Sequence, residues 1–283
     1  MGRLNSVDGP SDLRSPAAEN FPVALRLLPA RHRAHLMAIY GYARYVDDLG
    51  DEFEGDRTNA LNQVADDVRR VCAGEQARDS VVAGLLPFVR EKYVPADPFL
   101  RLVDANRQDQ LVTRYRTFED LVSYCELSAN PVGELVLRVF DQADPERIAL
   151  SDQVCTALQV IEHLQDVAED HRNGRIYLPL ADLARFGVEP ADLGHDHASP
   201  AVRVLIDFEA ERARGLLDSG TQLVPKLRGW ARLAVSGYVA GGRSALAGLG
   251  DSGRDPLAEA VKPTRGQVVG QWLRGFVRSP RWL

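Results

Sequence analysis

Residues 157–170 read Ala-Leu-Gln-Val-Ile-Glu-His-Leu-Gln-Asp-Val-Ala-Glu-Asp, and two patterns run through them together. Leu158, Ile161, Leu164 and Val167 recur at a step of three, which keeps apolar side chains on one helix face. Gln159, Glu162, Asp166 and Asp170 follow at steps of three, four and four, which stacks polar side chains on another face. An amphipathic helix satisfies both patterns. A strand satisfies neither, because its side chains alternate with a period of two. The same habit spreads outward along the chain. Leu36, Ile39, Tyr40, Ala43 and Val46 mark a second buried helix face, and Arg203–Leu217 and Gly229–Leu249 supply two more helices. Leu121–Phe140 reads as helix broken at Asn130-Pro131. Between His171 and Pro200 the glycines and prolines predict a long loop with one short helix around Ala181–Phe186. No run alternates convincingly enough to be a strand. The expected architecture is all-α, with a flexible N-terminus over residues 1–18 and one domain over 19–283.

The polar face is costly. Carboxylates four residues apart on a helix oppose each other by roughly 0.2–0.5 kcal/mol per pair. A second such cluster, Asp47-Asp48-Leu49-Gly50-Asp51-Glu52, lies far upstream. Helical spacing groups Asp47, Asp48 and Asp51 with Tyr40 and Arg44. Mg²⁺ gives such clusters a purpose, since it takes carboxylate oxygens and bridges them to substrate phosphates. Arg44 can grip a phosphate through its planar fork. The competing reading is a solvated acidic helix face. For the first cluster the helix dipole opposes it, because carboxylates stand at the negative end.

Composition narrows the class. The chain has 283 residues, is 45% hydrophobic and carries a formal net charge of −6, which argues against a general nucleic-acid binder. No stretch approaches the ~20 apolar residues of a membrane span, and residues 1–20 lack the apolar segment of a secretory signal. Met1-Gly2 with Ser6 matches the loose myristoylation pattern by chance. Cys72, Cys125 and Cys155 form no C-x-x-C pair, which fits a reduced cytoplasmic compartment. The lone His163 and His171 read as structural hydrogen-bonders, and His195-x-His197 reads as a loop pair and not a metal site.

Several stretches in order resemble the squalene and phytoene synthase family across nearly the whole chain. They are Asn20-Phe21-Pro22, Arg26-Leu27-Leu28-Pro29, Ala38-Ile39-Tyr40 through Arg44 to Asp47-Asp48-x-x-Asp51-Glu52, Tyr124-Cys125, Leu158-Gln159, Asp166 to Asp170, Gly174-Arg175-Ile176-Tyr177-Leu178-Pro179 and Tyr238-Val239-Ala240. The resemblance implies a class I isoprenoid synthase fold, a helical bundle around a deep apolar pocket. It implies that Asp47, Asp48 and Asp51 on one wall and Glu162, Asp166 and Asp170 on the other bind Mg²⁺ and a prenyl diphosphate. Arg44, Gln159, Arg175 and Tyr238 are then expected to bind substrate, and Tyr40, Tyr124 and Tyr177 to steer a carbocation, by ring face or hydroxyl. Phe21 and Phe140 are expected as wall or core.

Ser128-Ala129-Asn130-Pro131-Val132-Gly133, with Asn20-Phe21-Pro22 and Arg107-Gln108-Asp109-Gln110, is similar to the bacterial hydroxysqualene synthases of hopanoid pathways. That branch implies a lyase converting presqualene diphosphate and water to hydroxysqualene and diphosphate. No nicotinamide is expected, and the chain has no Gly-x-Gly-x-x-Gly fingerprint. The alternatives are head-to-head condensation of two prenyl diphosphates and a non-catalytic scaffold. Glu162 departs from the family's asparagine, and Gln165 stands where carotenoid relatives carry arginine. Beyond Glu259, basic residues and an apolar face of Val268, Val269, Trp272, Leu273, Phe276 and Val277 predict a helix that either closes the core or lies on anionic lipid.

Overall fold

A computed structural model describes residues 28–250 and 255–258. The expectations for residues 1–18, Asn20-Phe21-Pro22, Arg26-Leu27 and the basic C-terminal face lie outside the described residues. Within them the chain is helical: α1 Ala30–Asp51, α2 Arg57–Cys72, α3 Ser80–Ala83, α4 Leu86–Lys92, α5 Asp97–Asp109, α6 Phe118–Ser128, α7 Asn130–Val139, α8 Pro145–Gln165, α9 Val167–Arg172, α10 Leu180–Phe186, α11 Pro200–Gly220, α12 Leu223–Lys226 and α13 Gly229–Leu249. A 3₁₀ turn at Pro190–Gly194 follows α10 in the Gly- and Pro-rich stretch, beyond the one short helix expected there. Among the described residues no helix is long and apolar enough to cross a membrane.

Local chemistry sets the boundaries. Thr117 and Asp120 form a capping box at α6, and Asp144 and Ser199 cap α8 and α11, each ahead of a proline in the first turn. Pro131 removes a backbone donor near the expected break, and the chain restarts there as α7 with Asn130 and Pro131 in its first turn. The domain is built around α8, which packs most extensively against α11 and also against α7 and α13. Gly220 makes the first contact possible, since a Cβ there would lie 2.8 Å from the Val154 backbone nitrogen. Val154, Ala157, Val160, Ile161 and Leu164 of α8 are buried in the resulting core.

One expectation needs correction. Residues 157–170 are not one continuous helix: Asp166 leaves helical geometry at φ −110° and ψ 15°, which separates α8 from α9. The four-residue step survives the break, because Asp166 N–H donates to Glu162 C=O at 3.0 Å and Asp170 N–H to Asp166 C=O at 2.8 Å. Gly174, at φ 79°, then turns the chain back across the end of the bundle. There residues 174–181 run parallel to 113–116 as a strap. Ile176, Leu180 and Ala181 N–H donate to the carbonyls of Thr113, Tyr115 and Arg116 at 2.9, 2.9 and 3.0 Å. The strap contains the only β-bridge among the described residues, Arg114 to Ile176.

Candidate active site

The C-terminal ends of α1 and α5 meet beside the strap. Asn106 Nδ2 donates to Asp47 Oδ1 at 2.9 Å, and Gln110 Nε2 to the Gly50 carbonyl at 3.0 Å. Gly50 is required at this approach, because a Cβ would collide with Asn106 Oδ1. Asp47 reaches solvent but is walled in by α5, and the loss of hydration pushes its carboxyl up to about 6. The Asn106 bond opposes that shift and the neighbouring Asp51 adds to it.

Arg175 arrives from the strap and donates Nη2 to Asp51 Oδ1 at 2.7 Å. Burial works against its charge, but the Asp51 bond and the fields of Tyr177 and Asp109 outweigh it and hold the guanidinium protonated. Asp109 lies close by and accepts the Tyr124 hydroxyl at 2.7 Å on Oδ2, while its Oδ1 is buried with no hydrogen-bond partner. Burial raises the Asp109 carboxyl, with the Tyr124 bond opposing. Asp109 therefore belongs to the site, although only its motif and not its role was picked out from the sequence. The free oxygen beside Asp51 and Arg175 is a tertiary fact that no spacing encodes.

The structure divides the first acidic cluster. Asp47 and Asp51 turn to Asn106 and Arg175, whereas Asp48 pairs with Arg44 Nε at 2.9 Å and Arg44 reaches on to Glu52 at 3.9 Å. Asp48 thus faces Arg44, about 100° around the helix from Asp47, and still lies within the field of Asp51. Tyr40 is half-buried one turn before Arg44. In the second acidic cluster Glu162 is exposed and Asp166 and Asp170 are half-buried. Asp170 Oδ2 lies 3.8 Å from His163 Nδ1. Among the described residues no three His, Cys, Asp or Glu side chains converge as a preformed metal cage, and His195-x-His197 is no exception. His197 instead pairs with Asp255 at 3.3 Å.

An apolar cavity of about 220 Å³ lies between α7, α8 and α13, with Glu162 at its border. Val132, Val136, Val154, Leu158 and Val235 form its walls, with Tyr238 among them and Gln159 and Glu162 on the side of the second acidic cluster. Phe140 is buried outside this lining, edge-on to His32, and so belongs to the core. Tyr124 and Tyr177 join Tyr115 and His163 in an aromatic cluster beside Asp109. His163 was read from the sequence only as a structural hydrogen-bonder, and Tyr115 was not singled out.

A match to the squalene/phytoene synthase family model spans residues 15–267. The chain belongs to the squalene/phytoene synthase family. It is 32% identical over 261 residues to the hydroxysqualene synthase of Zymomonas mobilis, covering 89% of this chain and 85% of that one. It is 33% identical over 219 residues to the phytoene synthase of Mycobacterium tuberculosis, covering 75% and 70%. Among solved structures, a squalene synthase from Alicyclobacillus acidocaldarius superposes with a TM-score of 0.75 at 43% identity, over 79% of this chain and 85% of that one. A dehydrosqualene synthase superposes at 0.81 with 24% identity over 90% of each chain, which extends the shared fold. The all-α isoprenoid synthase bundle expected from the sequence is the fold observed.

Proposed function

We propose that this family member converts presqualene diphosphate and water into hydroxysqualene and diphosphate. The observation that carries the reading is the junction at Gln159 and Glu162, where an apolar cavity opens at the second acidic cluster. A lipid with an anionic head fits such a junction, with the hydrocarbon in the cavity and the diphosphate outside it. The similarity to a hydroxysqualene synthase over most of both chains supports the branch.

Mg²⁺ fits the donor set. Its usual site is one or two carboxylates completed by substrate phosphate, not an all-protein cage, and Asp109 Oδ1 stands buried and unpartnered beside Asp51. Asp47, Asp51 and Asp109 would hold metal on one wall and Glu162, Asp166 and Asp170 on the other, with Asp48 beside Arg44. When bound, the metal neutralises charge on the departing diphosphate. Arg175 shares that anion through the guanidinium N–H groups not given to Asp51, and Arg44 does so from the adjacent turn. The cyclopropylcarbinyl carbon–oxygen bond breaks, with both electrons leaving on the diphosphate. The cyclopropylcarbinyl cation rearranges within the apolar walls, which keep bulk water away. One water oxygen then bonds to carbon and loses a proton to the diphosphate or solvent. No electrons are exchanged, so no nicotinamide is required.

The similarity to phytoene synthases favours one second reading, head-to-head condensation of two prenyl diphosphates. Incubation with Mg²⁺ and either presqualene or farnesyl diphosphate, without nicotinamide, separates the two by the lipid formed. Hydroxysqualene from presqualene diphosphate is the expected product. Presqualene diphosphate accumulating from farnesyl diphosphate would move the protein to the second reading, and no diphosphate release from either substrate would refute both. Contact with anionic lipid through the basic C-terminal segment is proposed as the route by which the product reaches a membrane.

A further inference from the structure

Tyr177 is buried with a ring on each face. His163 lies on one, with centroids 3.7 Å apart and planes at 10°. Tyr115 stacks on it at 5.7 Å and 18°. Among the described residues His163 and Tyr115 make no ring contact with each other, as two rings sharing a face would, so they cover opposite faces. Tyr124 meets the same ring tilted by 33°. A carbocation cannot rest on a face already covered. What Tyr177 offers the site is its edge and its hydroxyl, which shares a hydrogen bond with Tyr124 and feels the charges of Asp109, Arg175 and Asp170.

His163 is itself held in place. Its Nε2 is 3.3 Å from Gln159 Nε2, its Nδ1 faces Asp170, and its side chain is 11% exposed. Gln159 also lines the apolar cavity, so the imidazole stands between the cavity and the strap that carries Tyr177. The hydrogen bonds of the strap fix the Tyr177 backbone through Ile176 and Leu180, and they leave its ring to be oriented by the Tyr124 hydrogen bond at one end and by the stacked rings on its faces.

We infer that His163 is the positioning residue for Tyr177, clamping the ring so that the phenol oxygen, not the ring face, meets the reacting lipid. The inference rests on the reading of this site as a prenyl diphosphate site. The clamp requires a flat ring and no particular charge, which makes it testable by shape.

The experiment compares His163→Ala, His163→Phe, Tyr177→Phe and the His163→Ala/Tyr177→Phe double variant on presqualene diphosphate with Mg²⁺. His163→Ala is expected to lower kcat about tenfold with little change in KM and to alter the ratio of lipid products, the size of effect that loss of one ring contact gives when felt in the transition state. His163→Phe should recover most of both. In the Tyr177→Phe background His163→Ala should cost nothing further, because the clamp acts only through the hydroxyl. Additive losses, or a His163→Phe variant as impaired as His163→Ala, would overturn the inference. A turnover-independent measurement runs beside it: with ¹³C-labelled tyrosine, the Tyr177 ring resonance should shift in His163→Ala and return in His163→Phe. An unmoved resonance overturns the clamp even if the wild type turns over no prenyl diphosphate, an outcome that would instead count against the proposed function.

Discussion

Arg175→Ala separates the chemistry of the site from its architecture. The guanidinium lies 2.7 Å from Asp51, with 22% of its side chain and 48% of the aspartate's exposed. A pair that open to water is worth roughly 0–1 kcal/mol. The backbone at this position is held independently, by Arg175 N–H on Asp170 C=O and Ile176 N–H on Thr113 C=O, both at 2.9 Å. Removing the side chain should therefore lower Tm by less than about 4 °C. The transition state loses more. A preorganised donor to a developing anion in a walled site is worth about 2.7–4 kcal/mol, so kcat for diphosphate release should fall by about 10²- to 10³-fold. Arg175→Lys should recover part of it, since the charge returns without the fork. The assay is Mg²⁺-dependent diphosphate release, with a thermal melt on the same samples. A kcat within about threefold of wild type, or a drop in Tm of about 10 °C or more, would show the arginine to be structural.

Asp47→Ala and Asp166→Ala should each abolish diphosphate release while the melting curve stays cooperative; near-normal turnover in either would end the two-wall model. Glu162→Asn should keep activity and shift the Mg²⁺ concentration for half-maximal rate, and a complete loss with an intact fold would give the carboxylate its own role. Away from the site, burial pushes Glu209 up from its ordinary 4.5 to about 7, with Arg212 opposing and Asp182 adding. The native state then holds a proton the unfolded chain has lost, so stability falls as pH rises between those values. Glu209→Gln should flatten the fall in Tm across that window, and an unchanged pH profile would refute the account.

The all-α fold was legible because the apolar step of three in residues 157–170 needs no partner to be read, and Arg203–Leu217 and Gly229–Leu249 carry equally long periods. The break at Asp166 was not legible, because the residues on both sides keep their helical spacing and nothing local marks the change in φ. The ion pairing within the first acidic cluster was hidden for another reason. Whether Asp48 or Asp47 faces the site depends on where Asn106 of α5 comes to rest, some 60 residues on. Asp109, Tyr115 and His163 gain their roles only through packing. His163 read as a structural hydrogen-bonder, and its stacking became visible only where Tyr177, from another segment, lies against it.

The strap between residues 113–116 and 174–181 has a consequence for how this protein loses its activity. It joins segments sixty residues apart through a few hydrogen bonds and one bridge, and Tyr115, Ile176, Tyr177 and Leu178 anchor it in the apolar core. Its outer turn is different, because Arg172, Asn173 and Gly174 are exposed and Arg175 is only half-buried. Exposed turns of this kind open at a free energy below that of the whole domain, so mild heat or urea should release Arg175 before any helix melts. Catalysis would fade ahead of the far-ultraviolet signal. A preparation that looks fully folded by helix content can thus already be inert.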